Sequence, residues 1–142
     1  MINLKNRTTF YLLSFTWGLP LTLVGFIVAG VLLCVGYKPQ RWGDCWHFSV
    51  GKNWGGLELG LIFLTGNVST TYIKNHEHGH AIQNCFFGPL MPFVVCIPSA
   101  IRYWYRIIRE KIGKPCKTNY YDIWFEAQAS RLGSDYVFGL KK

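Results

Sequence analysis

The longest uninterrupted apolar stretch of the chain lies near its amino-terminal end. Residues 10–36, FYLLSFTWGLPLTLVGFIVAGVLLCVG, carry no charged side chain. A helix needs about 20 apolar residues to cross a bilayer, so this stretch predicts a transmembrane helix, kinked at Pro20. A signal peptide is the rival interpretation. The stretch is longer than a usual signal core, however, and the polar sequence KPQR follows it in place of a small-residue cleavage site.

Alternating polarity replaces this continuous apolar run farther along the chain. Large apolar side chains recur at every second position from Leu57 to Phe63, the period of a strand with one buried face. The turn-forming sequence GKNWGG separates them from an earlier short apolar run. We therefore predict a β-hairpin over about residues 46–65, with strands near residues 46–51 and 56–65.

A helical pattern follows the predicted hairpin. It covers about residues 69–87, within the sequence VSTTYIKNHEHGHAIQNCFF that begins at Val68. Ser69 or Thr70 is suited to cap the first turn of this helix. The pair Gly88–Pro89 is a helix stop, so the helix is expected to end before it.

Two more helices are predicted toward the carboxyl end. Residues 89–110 are apolar up to Ile101 and then carry arginines at helical spacing, which predicts a second, short membrane helix or a helix lying at the bilayer surface. We favour the membrane helix, because arginine side chains can extend from the apolar region to the interface. Residues 122–133 form the last predicted helix, with Asp122 as N-cap and Gly133 as C-cap.

These elements predict an α+β membrane protein with one domain over residues 1–142. Hydrophobic residues make up 50% of the chain and charged residues 15%, against about a quarter in ordinary soluble domains. The net charge of +8 lies beside apolar runs, which fits anionic lipid headgroups better than nucleic acid. We expect membrane lipid as a partner and no nucleic acid. The strongest basic cluster, from Arg102 to Lys117, is expected to face the cytoplasm.

The densest candidate chemistry lies in KNHEHGHAIQ, residues 74–83, which contains the pattern H-E-x-x-H. Residues i and i+4 share a helix face, so His76 and His80 can bind one metal ion. Glu77 lies about a quarter-turn around the helix, where it can take a proton from a metal-activated water as general base. His78 falls on another face and is expected to point away.

A catalytic zinc site needs a third protein ligand and one open position. We favour Glu126, because its small neighbours Ala127 and Ala129 allow a partner helix to approach closely. A glutamate on the otherwise apolar helix face of IWFEAQA is also costly unless a cation or a hydrogen-bond donor pairs with it. The other candidates are His47, Asp122 and Asp135.

The sequence HEHGHAIQ and the downstream FEAQASR resemble the membrane-bound neutral zinc metallopeptidases of bacteria. Those enzymes carry HE-x-GHAIQ and then a helix of the form E-x-x-A-S-R. The layout is also similar to gluzincin proteases of the CAAX-processing type, which have aspartate in place of the serine. The resemblance covers roughly residues 74–92 and 124–133 and implies a zincin-like domain, in which the motif helix packs against a carboxyl-terminal glutamate helix.

The resemblance implies a role for each matching residue. It implies that His76, His80 and Glu126 are the zinc ligands and that Glu77 is the general base. It also implies a set of supporting residues around them: Ser130 as hydrogen-bond partner of a ligand, Gly79 for close packing under the metal, and Gln83 on the same helix face as His76.

Substrate contacts are expected from two further places. In zinc peptidases of this layout a strand edge holds the substrate extended by backbone hydrogen bonds, and residues 57–65 are the candidate edge. The alternative is that these residues form only core or lie in the lipid interface. A hydrogen-bond donor to the oxyanion is also expected, and we favour Tyr121 because it precedes the helix of Glu126. The other candidate donors are Tyr120, Tyr136, His47 and Arg131.

The predicted function is a membrane-embedded zinc metalloendopeptidase of a bacterial inner membrane. It would use Zn²⁺ to hydrolyse peptide bonds in a peptide or membrane-protein substrate. Association into a homo-oligomer is one way for so short a chain to bury its apolar surface. Two alternatives stay open at this stage: a non-catalytic membrane protein with a structural zinc site, and a membrane-active factor such as a holin or toxin.

Overall fold

The computed structural model describes residues 6–52, 54–68 and 70–140, the last five as backbone only. Within these residues, five α-helices and a four-stranded sheet form an α+β fold, the predicted class. The helices are α1 (Arg7–Ser14), α2 (Leu19–Val35), α3 (Thr71–Phe87), α4 (Ile97–Lys111) and α5 (Trp124–Leu140). The strands are β1 (Gln40–Trp42), β2 (Cys45–Ser49), β3 (Gly56–Leu59) and β4 (Ile62–Thr65). Ser69 and the side chain of Tyr136, both candidates above, lie outside the described part.

The apolar stretch 10–36 does not form one helix, so this prediction is wrong. α1 ends at Ser14, and α2 begins at Leu19 after a bend of 85°. Pro20 lies in the first turn of α2, where its missing N–H costs no helical hydrogen bond. Taken singly, none of the described helices has the length and apolar composition to cross a bilayer. The α1–α2 pair and a second bent pair within residues 71–111 meet that test only as pairs.

The sheet has the order β1-β2-β4-β3, and it corrects the predicted hairpin. β2 and β4 run parallel, so the segments 46–51 and 56–65 are not hairpin partners. The second segment instead folds on itself, because β3 and β4 are antiparallel and joined by the two-residue turn Gly60–Leu61. Gly60 has a φ of +73°, which glycine adopts without strain in a tight hairpin.

The motif helix is confirmed as α3. The hydroxyl of Thr70 accepts a hydrogen bond from the N–H of Ile73 at 3.3 Å, and so caps the first turn. The helix ends at Phe87, immediately before Gly88, as the Gly-Pro pair predicts. Its centre is enclosed, since every residue from His76 to Cys85 is buried.

The two carboxyl-terminal helices differ from the prediction at their ends. A 3-10 turn and a π-helical turn occupy residues 88–96, so α4 begins only at Ile97. Asp122 lies in a 3-10 turn before α5 and is not the N-cap of that helix. Gly133 lies inside α5 and is not its C-cap, because the helix continues to Leu140.

Two groups of buried apolar side chains hold α3 at the centre of the molecule. One joins α1, the sheet and α3 through Phe10, Phe63 and Ile82. The other joins α2, the sheet, the turns before α4 and α5, with Phe48 and Phe125 among its members. α3 is therefore packed against the sheet on one side and against α5 on the other.

Candidate metal centre

Three buried side chains from α3 and α5 converge on one point. The Nε2 atoms of His76 and His80 lie 3.1 Å apart, and Oε2 of Glu126 lies 2.8 Å from the first and 3.2 Å from the second. Ligand atoms of a tetrahedral transition-metal site, with bonds of about 2.1 Å, are about 3.4 Å apart. The separations and the donor set of two imidazoles and one carboxylate therefore fit a metal ion.

Each histidine uses its second ring nitrogen to fix its orientation. Nδ1 of His76 lies 2.8 Å from the hydroxyl of Ser130, and Nδ1 of His80 lies 2.7 Å from Oε1 of Gln83. The amide nitrogen of Gln83 donates to the carbonyl oxygen of Phe125, so its oxygen is left to accept from His80. When a metal ion is bound, the proton of His80 therefore belongs on Nδ1, so that the lone pair on Nε2 can bind the ion.

Close contact between α3 and α5 makes this convergence possible. A Cβ added at Gly79 would collide with the carbonyl oxygen of Ala129, and one added at Gly133 would collide with the carbonyl oxygen of Asn75. Each glycine therefore allows one helix backbone to rest on the other. The short side chain of Glu126 can then reach both imidazoles.

Of the four candidates for the third ligand, Glu126 lies between the two histidines and the other three lie elsewhere. Glu126 is fully buried between the two histidines. His47 lies in β2 with Nε2 beside the hydroxyl of Thr65, while Asp122 and Asp135 are exposed. In the part of the chain that the structure describes, the only cluster of three or more side chains placed to bind one metal ion is that of His76, His80 and Glu126.

Glu77 lies beside this centre at the wall of a cavity of about 690 Å³. A Cβ added at Gly56 of β3 would collide with its carboxyl group, so the strand passes directly against it. Burial raises the pKa of Glu77 to about 7, with the charge of His80 opposing the shift and that of Glu126 adding to it. His78 points away as predicted: its Nε2 accepts the N–H of Asp44 on the other side of α3.

The electrostatics of the centre favour positive charge. Burial opposes protonation of His80, but the hydrogen bond to Glu126 and the charge of Glu77 raise its pKa to about 9. Burial also opposes ionisation of Glu126, yet hydrogen bonds from His76 and His80 hold its pKa well below the ordinary value. The ionised carboxylate is thus stable at the position where a cation would bind.

Two tyrosines of the turn before α5 face the centre in different ways. The hydroxyl of Tyr120 lies 2.8 Å from Oγ of Ser99 and 3.3 Å from Oε1 of Glu126, so it supports the ligand. The ring of Tyr121 lies 4.8 Å from the ring of His76. Its hydroxyl makes no hydrogen bond to a described residue, and burial raises its pKa to about 12, with Tyr72 adding to the shift. Tyr121 is therefore a free donor at the cavity wall.

Sequence reasoning missed several residues that build the site. Ser99 of α4 donates to Oε1 of Glu126 at 2.5 Å, and nothing in its sequence context signals this role. Arg102 donates to the backbone carbonyl oxygens of Asn119 and Tyr120 and so holds the turn that carries both tyrosines. Arg102, which the sequence places in a basic cluster, therefore positions the site.

Glu58 of β3 is the other missed residue. It lines the same cavity but is only 4% exposed, and both of its carboxyl oxygens are enclosed by protein. Burial raises its pKa to about 8, and the charges of His80 and Glu77 act in opposite directions on it, while the Gly60 amide lowers it. A single glutamate within the apolar sequence GLELG was the available signal.

No family model, curated protein or solved structure matches this chain. The chemistry of the site therefore has to be argued from its own geometry.

Proposed function

We propose that the protein is a zinc-dependent peptidase, with His76, His80 and Glu126 as ligands and Glu77 as general base. The convergence of these four side chains at the wall of an open cavity carries the proposal. Three protein ligands leave one position for water, the ligand count of a catalytic zinc site. A structural site would need a fourth ligand, and none joins the group among the residues described.

The zinc ion, when bound, supplies a Lewis acid that lowers the pKa of water toward 7. Glu77 takes a proton from the attacking water, whose oxygen adds to the carbonyl carbon of the scissile bond. The hydroxyl of Tyr121 donates a hydrogen bond to the carbonyl oxygen as negative charge develops there. Glu77 then gives its proton to the leaving nitrogen while the C–N bond breaks, and the products are a carboxylate and an amine.

The substrate is held along β3 in this proposal. β3 is at the edge of the sheet, paired with β4 on one side only, and five consecutive residues from Trp54 to Glu58 line the cavity. An edge strand offers unpaired backbone N–H and C=O groups, and an extended peptide can pair with them. Contact between Gly56 and Glu77 would bring a peptide on this edge to the general base.

Replacing the general base tests the mechanism. In the purified protein, Glu77→Gln should bind zinc as the parent does but lose about 10²–10⁴-fold of its cleavage of a quenched fluorescent peptide library. Glu110→Gln is the matched control, because Glu110 lines the same cavity away from the ligands and should leave cleavage unchanged. Chelation of zinc should abolish cleavage by both the parent and the control. Cleavage by Glu77→Gln at the parental rate would rule out this mechanism.

We further propose that the α1–α2 pair anchors the enzyme in a bilayer as an integral membrane protein. α2 is apolar on all sides, and several of its large side chains are more than half exposed, which is costly in water. These side chains are Ile27, Val31, Leu33 and Val35. α4 adds an exposed Trp104 and a row of arginines, the composition of a helix at an anionic lipid surface.

A further inference from the structure

α4 forms one wall of the cavity beside the candidate metal centre. Four side chains of this wall line the cavity: Cys96, directly before the first residue of the helix, and Ala100, Tyr103 and Ile107. Their spacing of i, i+4, i+7 and i+11 places them on one face of the helix. None of the four is buried. A free thiol behaves as a small apolar group, so α4 offers the cavity an accessible wall that is largely apolar.

This wall begins at the metal centre itself. Ser99, one residue before Ala100, donates a hydrogen bond to Oε1 of Glu126. Since consecutive Cα atoms are about 3.8 Å apart, the Cα atom of Ala100 lies within about 9 Å of that carboxylate oxygen. An extended peptide advances about 3.4 Å per residue. The α4 wall is therefore within reach of the residues next to a peptide bond that is cut at the centre.

Ala100 makes a recess in this wall. Its methyl group is the smallest of the four side chains, and it stands between Cys96 and Tyr103, about one turn away on either side. Trp54 and Ile73 add further apolar surface to the lining of the cavity. The cavity volume of about 690 Å³ is in the range of ligand-binding pockets. The recess therefore has room for a side chain that the substrate supplies.

We propose that the recess at Ala100 binds a large apolar side chain next to the scissile bond, so that Ala100 determines which peptide bonds are cut. Moving such a side chain from water to an apolar wall is favourable in proportion to the area removed from water. A charged side chain would lose its water there without gaining a partner, which is costly. The substrate class is therefore a peptide with a residue such as leucine or phenylalanine beside the bond.

This inference rests on the proposed peptidase activity and names its substrate class. The metal ligands and the general base act on backbone atoms, which are the same at every peptide bond. Selectivity among bonds has to come from contacts with side chains. The α4 wall supplies such a contact within reach of the centre.

Hydroxamates that bind zinc without being cleaved test the recess separately from catalysis. Binding to the zinc-loaded protein is measured by calorimetry for 4-methylpentanoic hydroxamate, which has a branched apolar chain, and for acetohydroxamate, which has only a methyl group. The parent should bind the larger compound at least tenfold more tightly. Ala100→Phe fills the recess and should bring this ratio close to one. Its zinc content and its affinity for acetohydroxamate should not change.

Two further variants fix the interpretation. Ile101→Phe is the matched control, because Ile101 follows Ala100 on α4, is 65% exposed and does not line the cavity, so it should retain the parental ratio. Ala100→Leu fills less of the recess and should give an intermediate ratio. It decides the question if the phenylalanine variant binds no zinc.

Equal binding of the two hydroxamates by the parent, binding of neither, or a parental ratio in the Ala100 variants would overturn the inference. A ratio lowered equally by Ile101→Phe would overturn it as well. Loss of zinc from both Ala100 variants would also do so, because the recess would then lack the room that the inference requires.

The peptide library separates failure of this inference from failure of the proposed function. The parent should cut mainly beside large apolar residues, and Ala100→Phe should move the cuts to bonds beside small residues such as alanine. A parent that cleaves the library without this preference loses only the recess. A parent that discriminates between the hydroxamates but cleaves nothing loses only the peptidase activity.

Discussion

Each candidate ligand uses one polar atom for the metal centre and another for a neighbouring side chain. Ser130 contacts Nδ1 of His76, Gln83 contacts Nδ1 of His80, and Ser99 contacts Oε1 of Glu126. These contacts set the direction of the lone pairs and restrict the rotation of the side chains. A residue that never touches the ion therefore still affects how tightly the ion is bound.

Ser130→Ala should lower zinc affinity about 10–100-fold, because the ring of His76 loses the hydrogen bond that orients it. The affinity is measured by competition with a chromophoric chelator. Ser134→Ala, one turn farther along α5, is the control and should bind zinc like the parent. Equal affinities for all three proteins would show that packing alone orients His76.

The buried imidazole of His47 is expected to make the folded protein less stable in acid. Burial lowers its pKa from 6.5 to about 4, with the charge of Lys74 adding to the shift, so the folded protein holds this imidazole neutral. The unfolded chain takes up a proton first as the pH falls below 6.5. The free energy of unfolding should therefore decrease between pH 6.5 and 4, by up to about 3 kcal/mol from this residue.

Denaturant unfolding at several pH values measures this contribution. His47→Gln should show a smaller decrease over the same interval than the parent, because glutamine keeps a polar group near Thr65 and does not titrate. The comparison removes the contribution of other titrating groups, which both proteins share. Parallel curves for parent and variant would contradict the assignment.

At the scale of elements, the contact between α3 and α5 determines whether the site exists. Glycine lies at each point where one backbone meets the other, Gly79 on α3 and Gly133 on α5. In most helices glycine is unfavourable by about 1 kcal/mol relative to alanine. Here that cost is offset by the approach that brings Glu126 to the histidines.

Gly79→Ala should therefore destabilise the protein, by about 1–3 kcal/mol or more, because the added Cβ collides with backbone that has no room to move. It should also weaken zinc binding, since Glu126 moves away with α5. Gly30→Ala is the matched control, because no atom lies within 4 Å of its Cβ position in α2, and it should be neutral or slightly stabilising. Denaturant unfolding and zinc titration of both variants provide the comparison. A Gly79→Ala protein as stable as the parent would show that the helices can separate without cost.

At the scale of the whole molecule, the site and the exposed apolar surface of α2 lie on different elements. The site is built on α3, α5 and β3, whereas much of the exposed apolar surface lies on α2. Changes on α2 are therefore expected to alter membrane attachment without altering the metal centre.

A variant with both Ile27→Lys and Val31→Lys should be released from membranes by sodium carbonate, because two charges in the bilayer cost several kcal/mol. The parent should stay in the membrane pellet, and zinc binding should be equal in both. Val68→Lys is the control, since Val68 is an exposed apolar residue of a loop away from α2. Retention of the double variant in the pellet would contradict the proposed anchor.

The sequence by itself determined the features that depend on local spacing. The i, i+4 histidines, the cap at Thr70 and the stop at Gly88 specify α3 and the metal-facing side of its motif, because a helix is defined by neighbours within one or two turns. Of the two small residues beside Glu126, Ala129 lies at the predicted close approach of another helix, whereas Ala127 is exposed. The expectations for α3 and Ala129 agree with the structure because they require no knowledge of distant contacts.

Tertiary structure decided the features that depend on residues far apart in the chain. The parallel pairing of β2 with β4 and the choice of Glu126 over His47 follow from which elements pack together. Gly133 resembles a helix end in sequence, yet it is required inside α5 because Asn75 of α3 lies against it. The burial of Glu58 is of the same kind, because the enclosure of a carboxyl group is determined by the side chains that the fold places around it.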